Sequence, residues 1–264
     1  MEAIEHPPIF HLPGIPDHVT YTWLVMIILA GLAFLASRHL EMVPRGTQNV
    51  MEIVLEQFQA MIDDVMGPQG RPYLPFIATL GLFIFVANLM SLVPGFSGPT
   101  TNLNTTAACA IVVFVAYHAI GLRVQGPATY IKHFMGPVWW LAPLMMPIEI
   151  ISHLARPLSL TLRLFGNMVG GHILIAVIFF LMGLDGLIGW ALSGSAAGAV
   201  VGGISGLIAI AFTVGFLYPL KLLVSLLQAF IFVMLTMLYI AGAIEHADEG
   251  HGGQGAEHHE SGHH

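Results

Sequence analysis

Residues 139–182 read WWLAPLMMPIEIISHLARPLSLTLRLFGNMVGGHILIAVIFFLM, a stretch whose apolar character is interrupted by three charged side chains. Glu149, Arg156 and Arg163 follow one another at intervals of seven residues. At 1.5 Å per residue, a helix over this stretch is about 66 Å long, against a bilayer core of roughly 30 Å. The sequence therefore predicts a membrane segment that either lies steeply oblique or bends into a hairpin, with Pro157 as a natural kink site.

The composition of the whole chain also indicates a membrane protein. Of its 264 residues, 56% are hydrophobic and only 9% are charged, and the mean hydropathy is +0.81. These values exclude a soluble domain of average composition. The formal net charge of -7 is carried largely by the two termini and argues against a nucleic-acid partner. The single cysteine, Cys109, excludes an internal disulfide and a multi-cysteine metal or iron–sulfur site.

Further apolar runs predict the other membrane segments. Residues 20–37, 74–93 and 103–122 each have the length of one membrane helix, and residues 203–242 form a second run of excessive length, with Pro219 as its kink site. The predicted fold class is an all-α integral membrane protein with about five to six membrane helices. Two of these are long, strongly tilted helices or hairpins. We expect an extracytoplasmic N-terminal segment over 1–19 and a membrane domain over 20–243.

Two shorter patterns add detail to the membrane domain. Residues 49–66 place apolar side chains at helical spacing with acidic side chains on the other face, which predicts an amphipathic surface helix whose capping box is Asn49 with Glu52. Glycines that recur every four residues predict either close helix packing or a flexible loop before the last long run. They are Gly194, Gly198, Gly202 and Gly206.

Basic residues predict the orientation of the chain. They follow the first span, precede the second and follow the third, whereas the loop 94–102 carries no charge. Under the positive-inside rule, the N-terminus lies outside, the basic loops lie in the cytoplasm and the C-terminus is cytoplasmic. The supporting residues are Arg38, Arg45, Arg71, Arg123 and Lys132.

The C-terminal residues 244–264 have a different composition from the rest of the chain. They are rich in histidine, glycine and acidic side chains, which predicts a disordered His-rich tail. We expect no physiological metal site there, because no packed scaffold fixes the geometry of the ligands.

The charged side chains in the long apolar stretch are the strongest functional signal. A step of seven residues returns to within about 20° on a helix, so Glu149, Arg156 and Arg163 form one row, which Asn167 continues. His172 points to the opposite side. Glu149 is about 21 Å along the helix from Arg163, too far for an ion pair. Because an unpaired buried cation costs several kcal/mol, we infer that another subunit supplies a carboxylate to Arg163.

The last apolar run carries a second polar pair. Lys221 and Gln228 are also seven residues apart, with Ser225 on a neighbouring strip. Gln228 is a candidate site residue or a hydrogen-bonding contact between helices, and Lys221 is a candidate site residue or a side chain that reaches the membrane interface. For His118, His153 and Asn88, hydrogen bonding within the helix bundle is the expected role.

One motif resembles a known family. The run 156–168, RPLSLTLRLFGNM, is similar to the signature of subunit a of the F-type rotary ATP synthase. Three other pieces agree with that family in the same order: NLNTT at 102–106, NLM at 88–90 followed by Pro94, and LQAFIF at 227–232. The resemblance therefore covers nearly the whole chain except the tail.

The resemblance implies a role for each polar residue. Arg163 matches the essential arginine that faces a carboxylate of the rotating c-subunit ring, and Asn167 and Gln228 match its polar neighbours. Glu149 matches an acidic position of the cytoplasmic half-channel, and His172 a titratable position of the opposite one. The companion of that last position, often His or Glu in the family, is Lys221 here. Supporting positions are Ser159, Arg156 and His153.

The resemblance also implies partners and location. These are the c-subunit ring, the b-type peripheral stalk subunits, the remaining ATP synthase subunits and the lipid bilayer of the bacterial inner membrane. It implies no cofactor. The chain has no sequence similar to a nucleotide-binding loop, so we expect ATP chemistry to reside in partner subunits and this chain not to be an enzyme by itself.

Three alternatives remain open at this point. A secondary ion transporter or channel also keeps charges at the membrane midplane, although such folds usually contain internal repeats and none is evident here. A b-type haem protein would use paired membrane histidines, for which His118, His153 and His172 are candidates. A structural scaffold is the third alternative, and it leaves Arg163 without an explanation.

Overall fold

The computed structural model describes residues 14–38, 40–93, 96, 98–127, 130, 140, 142–181, 190 and 196–256. These residues contain helices and connecting turns but no strand. The helices are α1 (Asp17–Ser37), α2 (Thr47–Met66), α3 (Leu74–Met90), α4 (Leu103–Gln125), α5 (Ala142–Leu181), α6 (Ala196–Phe212) and α7 (Tyr218–Ala256). Short 3₁₀ turns cover Pro68–Tyr73 and Pro99–Thr101. The predicted all-α class is confirmed.

Five helical segments of the described chain are long and apolar enough to cross a membrane. They are Asp17–Ser37, Pro68–Met90, Leu103–Gln125, Pro143–Ile178 and Val200–Ile244. Few of their residues are buried within the chain, and large side chains such as Phe34, Ile151 and Leu207 are exposed. Exposed apolar helices of this length are stable in lipid, because the backbone hydrogen bonds are satisfied inside each helix. The chain is therefore an integral membrane protein.

The two long apolar regions form extended helices, and the hairpin alternative does not occur in the described part of either. Helix α5 has 40 residues and continues through Pro147 and Pro157. The Thr161 hydroxyl donates to the Pro157 carbonyl at 2.8 Å, within the turn that follows the proline. At about 60 Å, the helix exceeds the roughly 30 Å core, so it must lie obliquely in the bilayer or extend beyond it.

A π-helical turn, Thr213–Leu217, joins α6 to α7 without a break and ends just before Pro219. Proline has no backbone N–H, and its ring clashes with the carbonyl four residues earlier, so an ordinary α-turn is disfavoured at this point. The wider π-turn accommodates Pro219 while the helix continues. Next to Pro219, where the sequence predicts a kink, the helix is thus locally widened.

The predicted surface helix 49–66 corresponds to α2, but its capping box does not form. The helix begins after Gly46, whose φ is 60°, and no side chain caps it. The Gln48 amide instead bonds to the backbone N–H and carbonyl of Glu41 and to the Glu52 carboxylate. Glu52, the predicted capping partner of Asn49, is therefore used by Gln48, because the helix starts two residues earlier than the pattern predicts.

At its other end, α2 is fixed by an ion pair. Arg71 donates two hydrogen bonds, of 2.8 and 3.0 Å, to the Asp63 carboxylate. These hydrogen bonds hold the pKa of Asp63 below its usual value. The pair closes the turn between α2 and α3 outside the apolar part of the chain.

The C-terminal boundary differs from the predicted one. Composition predicts a disordered tail over 244–264, whereas α7 continues to Ala256. Helix propagation adds one hydrogen bond for each residue fixed, so a helix already anchored by packing can extend into a sequence of weak helix formers. Residues 257–264, residues 1–13 and Gly194 lie outside the described part of the chain.

The chain divides into two compact units, each formed from three segments. The first unit comprises Met1–Met26, Ile84–Thr105 and Arg163–Ala229, and the second comprises Ile27–Phe83, Thr106–Leu162 and Phe230–His264. Tyr21, Val25, Ile84, Leu164 and Met168 are fully buried in the first. In the second, the fully buried side chains include Ile62, Ile77, Tyr117, Phe232, Met237 and Ile240.

Gly81 is required for close packing in the second unit. A Cβ added there would lie 2.7 Å from Val233 Cγ2 and 2.9 Å from the Phe58 ring.

We expect Gly81→Leu to destabilise the chain by about 1–3 kcal/mol through overpacking. Heating membranes that contain the complex and measuring the soluble fraction of the chain by blotting should reveal a lower aggregation temperature. Gly31→Leu is the matched control, because a Cβ at Gly31 meets no described atom within 4 Å, and an equal effect of both changes would contradict this account.

Candidate functional site

Arg163 lies on an exposed surface of α5. Leu164 and Met168, on another face of the same helix, are 0% and 1% exposed, whereas Arg163 and Leu162 are exposed. Within the described residues, the Arg163 guanidinium has no ion-pair or hydrogen-bond partner. An arginine stays protonated in proteins, so this surface carries a full positive charge among apolar side chains.

The helix surface beside Arg163 is made of small residues. A Cβ added at Gly166 or Gly170 would meet no described atom within 4 Å, and Ser159, one turn before Arg163, is exposed. Small residues let another helix approach closely in a membrane. The predicted space for a neighbouring helix is therefore present, and no described part of this chain fills it at the two glycines.

Three buried polar atoms on α5 and α7, in the first unit, have no hydrogen-bond partner among the described residues. They are Asn167 Nδ2, Ser225 Oγ and Gln228 Nε2. The side chains of Ser225 and Gln228 are 0% and 5% exposed. Buried polar groups in native proteins are nearly always bonded to protein or ordered water. These atoms are thus suited to hold water or a polar group from outside the chain.

Next to them, a polar network joins α3 to α7. The Asn88 side chain donates to the Ser225 carbonyl at 3.5 Å and accepts from the Thr100 hydroxyl at 3.0 Å. The Ser91 hydroxyl donates to the Asn88 carbonyl at 2.7 Å. Asn88, Ser91 and Thr100 are all buried. Asn88 therefore bonds within the bundle, as the sequence predicts, and the network places hydrophilic groups deep in an apolar unit.

Lys221 has a defined partner in this network. Its Nζ donates to the Ser91 carbonyl, at 3.0 Å, immediately after the end of α3. Carbonyls at helix C-termini lack intrahelical donors and carry partial negative charge, so an ammonium group is favourable there. The Lys221 ammonium thus has a fixed partner in the Ser91 carbonyl, just past the end of α3.

His172 lies close to Lys221. A Cβ on Gly171, the preceding residue, would contact the Lys221 side chain at 3.6 Å. The His172 side chain itself is exposed. The structure therefore brings together two of the predicted half-channel residues. The histidine side chain is exposed, and the lysine ammonium is held by its hydrogen bond.

The second unit contains a separate polar cluster. The Glu149 carboxylate lies 3.2 Å from His153 Nε2, and the Tyr117 hydroxyl lies 3.1 Å from His153 Nδ1. The Arg156 guanidinium lies over the rings of Tyr117 and Tyr239, 5.9 and 5.2 Å from their centroids. The predicted residues Glu149, His153 and Arg156 are thus brought to one place.

Sequence reasoning missed the aromatic members of this cluster. Tyr117, Tyr130 and Tyr239 lie in three separate segments, and none belongs to a motif. A tyrosine within an apolar span was the available signal, because a buried phenol needs a hydrogen-bond partner. His118, as predicted, bonds within the bundle, with Nδ1 2.9 Å from the Phe114 carbonyl.

Known proteins are similar to this chain over most of its length. The family model described as ATP synthase A chain matches residues 19–241. "ATP synthase subunit a 1" of Pelobacter propionicus is 50% identical over 236 residues, covering 88% of this chain and 89% of the relative. "ATP synthase subunit a 1" of Syntrophotalea carbinolica is 49% identical over 247 residues, covering 94% and 91%.

"ATP synthase subunit a" of Geobacter sulfurreducens is also similar, with 45% identity over 236 residues, or 88% of this chain and 89% of the relative. The matched region includes every predicted site residue, from Glu149 to Gln228. Both the match to the family model and the sequence identity to these relatives extend over the membrane domain. Neither is confined to one motif. The chain therefore belongs to the ATP synthase A chain family.

Proposed function

We propose that this chain is the ion-translocating stator subunit of the ATP synthase membrane sector. It forms two aqueous half-channels against a rotating c-subunit ring and couples proton flow to rotation of the ring. The observation that carries this proposal is the exposed Arg163 guanidinium, which has no partner among the described residues of its own chain. Membership of the family supports the same function and gives no support to a secondary transporter or channel.

The partner of Arg163 is a carboxylate of the c-subunit ring. A charged side chain in a membrane segment normally faces an opposite charge or water. The open surface at Gly166 and Gly170 lets a helix of another subunit come close to the guanidinium. Asn167 and Gln228 offer amide donors without described partners, which suits them to bind the same carboxylate or its water.

Arg163 acts as a fixed positive charge between the two half-channels. It stabilises a c-subunit carboxylate in its ionised form, so a proton that arrives with the ring is released. The same charge repels protons that would otherwise pass directly from one half-channel to the other. Protons therefore cross the membrane only by travelling on the moving ring.

The two half-channels correspond to the two polar clusters. His172 lies in one half-channel with the network around Lys221, and Glu149 lies in the other with His153. One proton that crosses a potential of 100 mV releases about 2.3 kcal/mol, so several protons drive the synthesis of each ATP. The synthesis itself occurs in partner subunits, and this chain is not catalytic on its own.

The proposed location is the bacterial inner membrane, with the N-terminus outside. The five candidate spans among the described residues support termini on opposite sides, in agreement with the distribution of basic residues. The c-subunit ring, the b-type peripheral stalk and the remaining ATP synthase subunits are the proposed protein partners.

Arg163 provides the central test. We expect Arg163→Ala to abolish ATP-driven proton pumping by membrane vesicles, because loss of one partner of a desolvated ion pair costs about 3 kcal/mol, or about 100-fold. Arg163→Lys should also fail, since a lysine can lose its proton in an apolar environment and lacks the planar fork. Blotting must show that the complex still assembles. Arg45→Ala, which removes an exposed arginine outside the spans, is the matched control, and normal pumping by either Arg163 variant would overturn the proposal.

His172 is proposed as a relay group of its half-channel. Its imidazole titrates in the physiological range when unperturbed, and it is exposed. We expect His172→Ala to slow ATP-driven pumping by at least about 10-fold without loss of assembly, since a positioned acid–base group usually contributes 10²–10⁴-fold. Ile173→Ala, a change at the next exposed position, should pump normally. A wild-type rate in His172→Ala would reduce this histidine to a packing role.

Lys221 is proposed as a fixed cation at the end of α3 rather than a carrier of protons. Because arginine keeps its charge and can donate to the same carbonyl, Lys221→Arg should retain most of the pumping rate. Lys221→Met, which leaves the Ser91 carbonyl without its donor, should lose about 10-fold, as expected for a charged hydrogen bond of about 1.5 kcal/mol. Pumping assays of both variants decide the question. If the arginine variant failed as completely as the methionine variant, Lys221 would be a group that must release its proton.

A further inference from the structure

A cavity of about 130 Å³ lies within the second unit, beside Glu149. Its walls combine residues of α4, α5 and α7 with Tyr130, which lies between α4 and α5 in the chain. The polar members are Tyr117, Gln125, Tyr130, Glu149, His153, Arg156 and Tyr239. A cavity of this size with several hydrogen-bonding groups can hold ordered water. Glu149 is therefore one member of a polar chamber that can hold water.

His153 occupies the position between two proton-exchanging groups of this chamber. Its Nε2 lies 3.2 Å from the Glu149 carboxylate and its Nδ1 lies 3.1 Å from the Tyr117 hydroxyl. His153 and Tyr117 are 8% and 2% exposed, whereas the Glu149 side chain is 34% exposed. Both ring nitrogens of His153 therefore have a partner. Nδ1 contacts the buried Tyr117 hydroxyl, and Nε2 contacts the more exposed Glu149 carboxylate.

We infer that His153 is a proton carrier of the half-channel that Glu149 lines, exchanging protons between the Tyr117 side of the chamber and the Glu149 carboxylate. This inference rests on the proposed function, since it assigns a further residue to the same proton path. It follows from the geometry of three side chains on α4 and α5, and it gives Tyr117 the role of positioning the imidazole.

The transfer balances without any other reactant. In the resting arrangement, the Tyr117 hydroxyl donates to Nδ1 of a neutral imidazole, and Nε2–H donates to ionised Glu149. When a proton from chamber water binds Nδ1, the Tyr117 hydroxyl turns to accept it. The Nε2 proton then moves to Glu149 and from there to water, which leaves the neutral ring with its proton on Nδ1. That proton passes through chamber water to Nε2, which restores the first tautomer with no net change in the water.

The groups around His153 suit a carrier that does not retain its proton. Glu149 and Arg156 face it from its own helix, Tyr117 and His118 face it from α4, and the chamber also holds Tyr130 and Tyr239. The Arg156 guanidinium is held over two tyrosine rings. A permanent cation nearby shortens the lifetime of an imidazolium by repulsion, while Glu149 offers the acceptor.

The neighbouring His118 is the natural control. Its ring centroid lies 5.3 Å from that of His153, yet its Nδ1 bonds to the Phe114 carbonyl of its own helix. It does not line the chamber. A change at His118 alters packing next to His153 without interrupting the contacts to Tyr117 and Glu149.

The first test is His153→Gln in the whole complex. A glutamine amide can hydrogen-bond to both neighbours but cannot carry a proton. We expect ATP-driven pumping per assembled complex to fall at least about 10-fold in His153→Gln, and to stay within about twofold of wild type in His118→Gln, given the usual 10²–10⁴-fold contribution of a positioned acid–base group. A wild-type rate in His153→Gln overturns the inference.

The second test separates proton transfer from packing. His153→Ala removes the imidazole and enlarges the chamber, so added imidazole can enter. ATP hydrolysis by the whole complex is measured in vesicles made proton-permeable with an uncoupler, so that imidazole cannot act through the pH gradient. We expect imidazole to accelerate His153→Ala and not His153→Gln, in which the space is filled. A slow His153→Ala variant that imidazole leaves unchanged means that His153 only packs, and the inference is wrong.

Arg163→Ala, assayed in the same vesicles, keeps the two proposals apart. It should be inactive with and without imidazole, because the ring carboxylate has lost its fixed partner. If Arg163→Ala is inactive while the His153 variants behave as wild type, the proposed function stands and the role of His153 is rejected. If Arg163→Ala pumps normally in vesicles without the uncoupler, the proposed function itself is rejected, and the proton role of His153 with it.

Discussion

A charge or an unpaired polar group in the hydrocarbon core is costly, and this constraint explains the placement of the ionisable side chains in the apolar helices. Lys221 bonds to a carbonyl just past the end of α3, Glu149 is paired with His153, and Arg156 lies over two tyrosine rings. Arg163 differs, because it is exposed and no described residue of the chain pairs with it. We therefore propose that Arg163 serves another subunit.

The same constraint acts on the backbone. Helices α5 and α7 run far longer than a bilayer requires, and both tolerate internal or adjacent prolines without breaking. At Pro157 a threonine hydroxyl contributes a hydrogen bond, and before Pro219 the helix widens into a π-turn. Long unbroken helices keep backbone polar groups satisfied while they present one extended surface to a partner.

Some parts of the site could be predicted from sequence and others could not. The seven-residue spacing of Glu149, Arg156 and Arg163 predicted a polar row on one helix, and α5 carries them as one unbroken helix. The capping box of α2, the boundary of the C-terminal tail and the contact of Lys221 were not predictable in this way. Each depends on which hydrogen-bond partner a polar group takes once the chain is packed. Gln48, for example, bonds to Glu41 and Glu52.

The sequence by itself determined the all-α membrane fold and the apolar segments that can span, and it singled out Arg163 as the candidate central arginine. These follow from hydropathy and helical spacing, which are properties of residues close together along the chain. Only the tertiary structure decided that Tyr117 and His153 meet, and that Lys221 reaches the Ser91 carbonyl. Those pairs join residues far apart in sequence, and in an apolar unit each polar group takes the partner that helix packing places within reach.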